Sequence, residues 1–124
     1  MPDSSTTFGE LKEAVRQFAA EREWQPFHTP KNLSMGLAVE AAELMEHFLW
    51  IDGAASQRLA DDPKQKEEVA DELADVACYL LTLSYTLDID LSEAIRAKIV
   101  KNARKYPADK VRGHYKVRDE ETKP

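Results

Sequence analysis

The sequence predicts an all-α chain, and three observations carry that prediction. Apolar residues recur at steps of three and four through four separate segments. No segment alternates apolar and polar residues over the length of a strand. The chain has only four glycines and six prolines in 124 residues, and the prolines lie at segment boundaries, where they start or stop helices. No Gly-rich phosphate loop and no internal repeat interrupts the pattern.

Residues 1–5 are expected to be flexible, 6–107 to form the helical domain, and 108–124 to be a polar tail. The first helix starts at Thr6 or Thr7, with Glu10 three residues after Thr7 in the capping-box place. Phe8, Leu11, Val15 and Phe18 carry it to about Glu23. Trp24-Gln25-Pro26-Phe27-His28-Thr29-Pro30 then breaks the helix, because each proline disfavours α geometry in the residue before it. Trp24, Phe27 and His28 in this loop either line a pocket for a planar ligand or pack over the end of the core.

A second helix is expected from Asn32, as N-cap, to Trp50. Leu33, Leu37, Ala41, Leu44 and Phe48 form its apolar face. Glu40, Glu43, His47 and Trp50 follow at steps of three, four and three and so form one adjoining stripe. Gly36 lies one turn before Glu40, where a missing side chain lets another helix or a ligand approach. Asp52–Pro63 reads as a loop with a short helical turn near Ser56–Leu59.

The third helix starts at Pro63 with Asp62 as cap and runs to about Leu87. Val69, Leu73, Val76, Leu80, Leu83 and Leu87 form its apolar stripe, and Glu68, Glu72, Asp75 and Tyr79 border that stripe. Cys78 reads as a small buried hydrophobe. A fourth helix starts at Asp90, with Glu93 three residues on, and ends near Tyr106, before Pro107. Leu91, Ala94, Ile95, Ile99 and Ala103 are its apolar positions. Lys98, Asn102 and Lys105 form a polar stripe, flanked by Lys101 and Arg104.

Composition narrows the function classes. The net charge of −6 argues against a general nucleic-acid partner. Residues 1–90 hold 7 Lys and Arg against 18 Asp and Glu, whereas 91–124 hold 10 against 5. An acidic body beside a basic segment suits a metal at one end and phosphates at the other; a solvated surface with a basic tail is the plainer reading. The single cysteine rules out a disulfide framework and a Cys-based zinc site. No charged-then-apolar leader is visible, and no apolar run approaches the ~20 residues of a membrane span. A cytoplasmic protein with no membrane partner is expected.

Two helices each carry acids at i and i+3, Glu40/Glu43 and Glu72/Asp75, which places each pair on one helix face. If those helices pack antiparallel, four carboxylates converge. Such a set repels itself unless a cation joins it. All-oxygen ligation suits Mg²⁺ or Mn²⁺, which keep waters and bridge to substrate phosphates. A di-iron bundle would need Glu-x-x-His motifs, but the residues three before His28, His47 and His114 are Gln25, Leu44 and Val111. His47, four residues after Glu43, reads as a metal ligand, a hydrogen-bond partner of the acids, or a half-buried packing residue.

Glu40-x-x-Glu43, a gap of 28 residues, then Glu72-x-x-Asp75 resembles the metal motif of the MazG-like all-α nucleoside triphosphate pyrophosphohydrolases. The dCTP pyrophosphatase branch is the nearest likeness. Ala19-Ala20-Glu21-Arg22-Glu23-Trp24 and Phe27-His28-x-Pro30-Lys31-Asn32-Leu33 resemble its entry segment. Glu40-x-x-Glu43-Leu44-x-Glu46-x-Phe48-x-Trp50, Glu72-Leu73-x-Asp75-Val76-x-x-Tyr79-Leu80 and Lys98-x-x-x-Asn102-x-Arg104-x-Tyr106-Pro107 extend the likeness over about residues 8–108. One position departs: that branch often has a histidine nine residues before the tryptophan, where this chain has Val15.

The resemblance implies a four-helix-type bundle of this all-α kind, assembled as a homo-oligomer (dimer or tetramer), with a nucleoside triphosphate as partner. Glu40, Glu43, Glu72 and Asp75 would bind Mg²⁺ or Mn²⁺. Trp24, His28, Trp50 and Tyr79 match positions around the base and sugar. Lys98, Asn102, Arg104, Lys105 and Tyr106 match the segment that meets the phosphates. The implied reaction converts dCTP, or a modified dCTP, and water to the monophosphate and diphosphate. Glu43 is nominated as catalytic base, with Glu40 or Glu46 in reserve. The competing reading is a helical oligomerisation or nucleotide-binding module without catalysis, marked by a failure to bind Mg²⁺ or nucleotide.

Overall fold

Side-chain caps set the helix starts. In the computed structural model, which describes residues 1–114, five of six α-helices begin with an Asp or Thr oxygen accepting a backbone N–H of the first turn. They are α1 (Phe8–Glu21, Thr7 to Glu10 N, 3.1 Å), α2 (Pro30–Glu46, Thr29 to Asn32 N, 3.2 Å) and α3 (Gly53–Gln57, Asp52 to Ala55 N, 2.7 Å). The others are α4 (Pro63–Thr86, Asp62 to Lys64 N, 3.0 Å) and α5 (Leu91–Lys105, Asp90 to Glu93 N, 2.9 Å). The sixth, α6 (Ala108–Val111), follows Pro107 without a side-chain cap. Short 3₁₀ turns occupy Asp3–Ser5, Gln25–Phe27 and Leu59–Asp61. Among the described residues no strand occurs, as the all-α reading requires.

Four boundaries differ from expectation. The cap of α2 is Thr29, not Asn32, because Pro30 takes the first helical position instead of ending the loop. Asn32 turns back, and its Nδ2 donates to Phe27 O at 3.1 Å. The helix also stops at Glu46, and the chain continues in turns through Trp50. Helical structure begins before Thr7, with a 3₁₀ turn at Asp3–Ser5 and Thr6 Oγ1 donating to Pro2 O at 2.8 Å. Pro107 launches α6 where a tail was expected; residues 115–124 of that expected tail lie outside the described residues.

The described chain divides into two units, with the boundary between Ile89 and Asp90. In the first, α4 is the common partner: it packs along α2 and against α1. Gly36 meets Tyr79, and Glu40 and Glu43 meet Glu72. Numbers rise on α2 as they fall on α4, so the two helices run antiparallel. Ala19, Leu33 and Leu81 are buried, with Leu59 beneath the 3₁₀ turn. The buried hydroxyls of Thr82 and Ser84 donate to Cys78 O (2.7 Å) and Leu81 O (2.8 Å) of their own helix, so neither is left unpaired.

The expected core stripe of α4 is covered only in part: Val69, Val76 and Leu83 are half-buried. Leu73, Leu80 and Leu87 are exposed, while Leu81, Thr82 and Ser84 are buried. This helix is apolar on more than one side, and periodicity alone does not tell which apolar positions its partners cover. Met35, Val39 and Met45 of α2 are exposed as well.

α1 and α4 end in the same way. Glu23 and Asp88 each adopt φ 53°, in the left-handed region. Glu23 N donates to Ala20 O (3.0 Å) and Trp24 N to Ala19 O (3.0 Å); Asp88 N donates to Tyr85 O (3.2 Å) and Ile89 N to Ser84 O (2.8 Å). These are paired Schellman bonds, made without the usual glycine. Lys12 Nζ also reaches Ile89 O at 2.6 Å and fastens α1 to the end of α4.

In the second unit α5 carries Arg104 and Lys105 in its last turn, where cations suit the helix dipole. Tyr106 N closes the helix on Asn102 O at 2.7 Å.

Two substitutions test this account by urea denaturation. Glu23→Gly is expected to stabilise by about 0.5–1 kcal/mol, because glycine occupies the left-handed region without steric cost. A Cβ at Gly36 would lie 2.7 Å from Tyr79 Cζ and 2.9 Å from Cδ1, closer than real Cβ contacts. Gly36→Ala is therefore expected to destabilise by about 1–2 kcal/mol, despite the better helix propensity of alanine.

Candidate metal centre and adjoining cavity

The antiparallel pairing of α2 and α4 brings like charges together. One carboxylate oxygen from each of Glu40, Glu43 and Glu72 lies within 4.8 Å of the others. Glu40 and Glu43 share a face of α2 because they are one turn apart; Glu72 faces them from α4. Glu40 Oε2 and Glu72 Oε2 are buried and have no hydrogen-bond partner. Among the described residues of the first unit, no Lys or Arg pairs with any of the three within 4.0 Å. Only His47 approaches, with Nε2 3.9 Å from Glu72 Oε1.

This crowding raises two proton affinities. Glu40 is pushed above the ordinary carboxylate range by desolvation first, then by the close approach of the Glu43 carboxylate and the charges of Glu43, Asp75 and Glu72. Glu72 is pushed up by desolvation first and then by Glu43 and Asp75, with His47 opposing. Two buried, unpartnered oxygens in an all-oxygen donor set fit a hard divalent cation.

Asp75, the fourth expected ligand, is outside the 4.8 Å set. One turn on from Glu72, it lines a cavity of about 400 Å³ bounded by α1, the Trp24–His28 segment and α4. Trp24, His28 and Tyr79, expected together, do meet there. Trp24 stands edge-on to Phe18 (5.7 Å between centroids) and to His28 (6.2 Å), and the Arg22 guanidinium lies 3.6 Å from the Phe18 ring centre. His28 Nδ1 is buried without a partner. The Tyr79 ring lies over Gly36, which gives that glycine its reason.

Trp50 does not join this group. It lies beyond the end of α2, does not line the cavity and is 89% exposed. The stripe expected to carry it breaks at Glu46, which is itself exposed. Lys98, Asn102, Arg104 and Lys105 are exposed on α5 and Tyr106 is its C-terminal cap; Lys105 Nζ lies 5.3 Å from the Tyr106 ring centre.

Cys78 corrects another expectation. It is exposed and lines the cavity instead of filling a core. Its thiol is pushed above its usual range by partial burial and then by the Asp75 charge. Ala14, Val15, Phe18, Ala19, Thr82 and Leu33 of α2 complete the walls, and the sequence does not single them out as lining residues. Spacing offers a signal for several of them: Ala14, Val15 and Phe18 share a face of α1, and Thr82 lies one turn beyond Cys78.

Comparison with known proteins agrees with the motifs. The MazG-like family model matches residues 36–118, which include all four expected acids. Rat dCTP pyrophosphatase 1 is 36% identical over 107 residues, covering 86% of this chain and 63% of its own. Human dCTP pyrophosphatase 1 is 35% identical over 102 residues, covering 82% and 60%. The chain thus spans less than two thirds of the length of these curated relatives. A solved structure of a pyrophosphatase from Archaeoglobus fulgidus is 37% identical, with a TM-score of 0.73, covering 86% of this chain and 98% of that one. The resemblance drawn from the acidic and aromatic motifs therefore holds, and the chain belongs to the MazG-like family.

Proposed function

We propose that this protein is a divalent-metal-dependent nucleotide pyrophosphohydrolase that acts on dCTP or a modified dCTP. The observation that carries the reading is the carboxylate cluster of Glu40, Glu43 and Glu72, with two buried, unpartnered oxygens, one helical turn from an aromatic cavity. The dCTP pyrophosphatase relatives and the archaeal pyrophosphatase support the substrate class.

Glu40, Glu43 and Glu72 would hold Mg²⁺ or Mn²⁺, with Asp75 one turn on as the further acid. When bound, the cation neutralises charge on the triphosphate and lowers the pKa of a coordinated water. The base enters the cavity, where Trp24 and Tyr79 offer aromatic faces and His28 Nδ1 offers an unused hydrogen-bonding atom. Glu43, the exposed member of the cluster, accepts the proton of the attacking water. The water oxygen joins the α-phosphorus, the bond from that phosphorus to the bridging oxygen breaks, and diphosphate leaves. Lys98, Asn102, Arg104, Lys105 and Tyr106 are the proposed phosphate contacts, on the strength of the motif resemblance.

A homo-oligomer belongs to the same reading. Met35, Val39, Met45, Leu73 and Leu80 are exposed on the two longest helices, and Trp50 beyond them is 89% exposed. A second copy of the chain is the proposed cover, and it would give Trp50 its apolar surroundings. Among the described residues no helix is long and apolar enough to cross a membrane; a cytoplasmic nucleotide-pool role is proposed.

Two experiments decide the matter. With Mg²⁺, the purified protein is expected to release diphosphate, not phosphate, from dCTP, most readily among a panel of nucleoside triphosphates. Chelation should abolish turnover, and Glu72→Ala should lower kcat at least about 100-fold. Full activity in that variant would remove Glu72 from the site; absence of metal and nucleotide binding would establish the non-catalytic module instead.

The second experiment reads stability. Glu40 and Glu72 hold their protons more tightly folded than unfolded, so the metal-free native state binds more protons above the ordinary carboxylate value of 4.5. Its stability must then fall as pH rises through that window up to the raised values. Tm in chelator is expected to decline over this range, and Mg²⁺ to restore it at neutral pH. Glu72→Gln should raise the metal-free Tm at neutral pH and shrink the Mg²⁺-induced rise; an unchanged Mg²⁺ response would count against the site.

A further inference from the structure

We propose that His47 is a positioning residue that fixes the Glu72 carboxylate so that Oε2 faces the cation site. The inference rests on the metal-site reading above. The two oxygens of Glu72 are in different surroundings: Oε1 faces His47 Nε2 at 3.9 Å, whereas Oε2 is buried without a partner. His47 itself is outside the group of converging atoms formed by Glu40, Glu43 and Glu72. It therefore meets one ligand instead of acting as another.

The backbone reinforces this placement. His47 is the C-terminal cap of α2, and its N–H is bonded to Leu44 O at 3.3 Å and also to Met45 O. The imidazole thus projects from the last turn of the helix that carries Glu40 and Glu43, across to α4. The side chains of His47 and Glu72 are 26% and 23% exposed, so neither swings freely in solvent.

Glu72 has three side-chain torsions, and repulsion from Glu40 and Glu43 favours rotamers that carry its carboxylate away from the cluster. The imidazole Nε2–H of His47 supplies a donor on the far side of that carboxylate. The gap of 3.9 Å is too long for a hydrogen bond, and a small rotation of the His47 side chain closes it. Holding Oε1 fixes the carboxylate plane and leaves Oε2 for the cation. Donors of this kind to a ligating carboxylate typically govern metal affinity by about 10–100-fold.

The test is Mn²⁺ titration of the otherwise metal-free protein, read from the electron paramagnetic resonance signal of free Mn²⁺, for wild type, His47→Leu and His47→Gln. Leucine keeps apolar packing but removes the donor; glutamine keeps an N–H at a similar reach. His47→Leu is expected to weaken Mn²⁺ binding at least about 10-fold. His47→Gln should recover most of it, and the apparent Mn²⁺ requirement of dCTP hydrolysis should shift in parallel. Binding by His47→Leu within twofold of wild type overturns the positioning role and leaves the metal site standing. So does a glutamine variant as weak as leucine, which would mark a packing role. Wild-type protein that binds no Mn²⁺ overturns both readings.

Discussion

The structure of the first unit depends on a repulsion that its own packing enforces. α2 and α4 lie antiparallel in one register: Gly36 opposite Tyr79, and Glu40 and Glu43 opposite Glu72. The attraction that holds this register is apolar, with Leu33 and Leu81 buried and a tyrosine ring lying where only a glycine leaves room. The same register directs three carboxylates at one another with no Lys or Arg of that unit between them. A protein gains no stability from such a set. The cluster persists because the interactions that would relieve it, an outward rotation or a proton, compete with helix packing on one side and neutral pH on the other. A divalent cation would resolve the conflict without moving the helices, and that is the physical argument for the proposed metal site.

α4 links this cluster to everything else in its unit. Within Glu72–Thr82 it supplies a cluster acid, an acid of the cavity wall, the cavity thiol, the ring over Gly36 and a buried hydroxyl. It also carries exposed Leu73 and Leu80. A helix with functional groups and apolar side chains on several faces cannot bury them all against α1 and α2. The leftover apolar surface follows from that geometry, and it is the physical argument for a second copy.

Legibility in the sequence followed the range of the physics. Caps are local chemistry, so Thr7, Asp62 and Asp90 could be read at sight, as could the acid pairs one turn apart. Thr29 was hidden because Pro30 signals both a break and a first helical position, and the tertiary path decides between them. The left-handed ends at Glu23 and Asp88 have no glycine to announce them. The buried face of α4 is legible only in part, with Val69, Val76 and Leu83 half-buried but Leu73, Leu80 and Leu87 exposed, because an apolar stripe records hydrophobicity and not which partner covers it. For the same reason apolar spacing points Cys78 to a core when it faces a cavity, and Trp50 continues the Glu40–His47 stripe beyond a helix that ends four residues earlier. Asp75 shows a finer limit: spacing places it beside Glu72, but only the tilt of two packed helices decides that it faces the cavity.

That division between Glu72 and Asp75 bears on how the site would work. The two are three residues apart, about 4.5 Å along the helix. One lies in the cluster and the other in the wall of the aromatic cavity, yet the charge of Asp75 registers on both Glu40 and Glu72. Any ligand that changes the surroundings of Asp75 therefore changes the field at the cluster, and a cation at the cluster changes the field in the cavity. Tyr79 and Gly36 add a steric link, since the ring that lines the cavity also sets the spacing of the helices that bear the acids. Base and cation would then meet on α4, the helix that cluster and cavity share, and each would favour the other through electrostatics and packing.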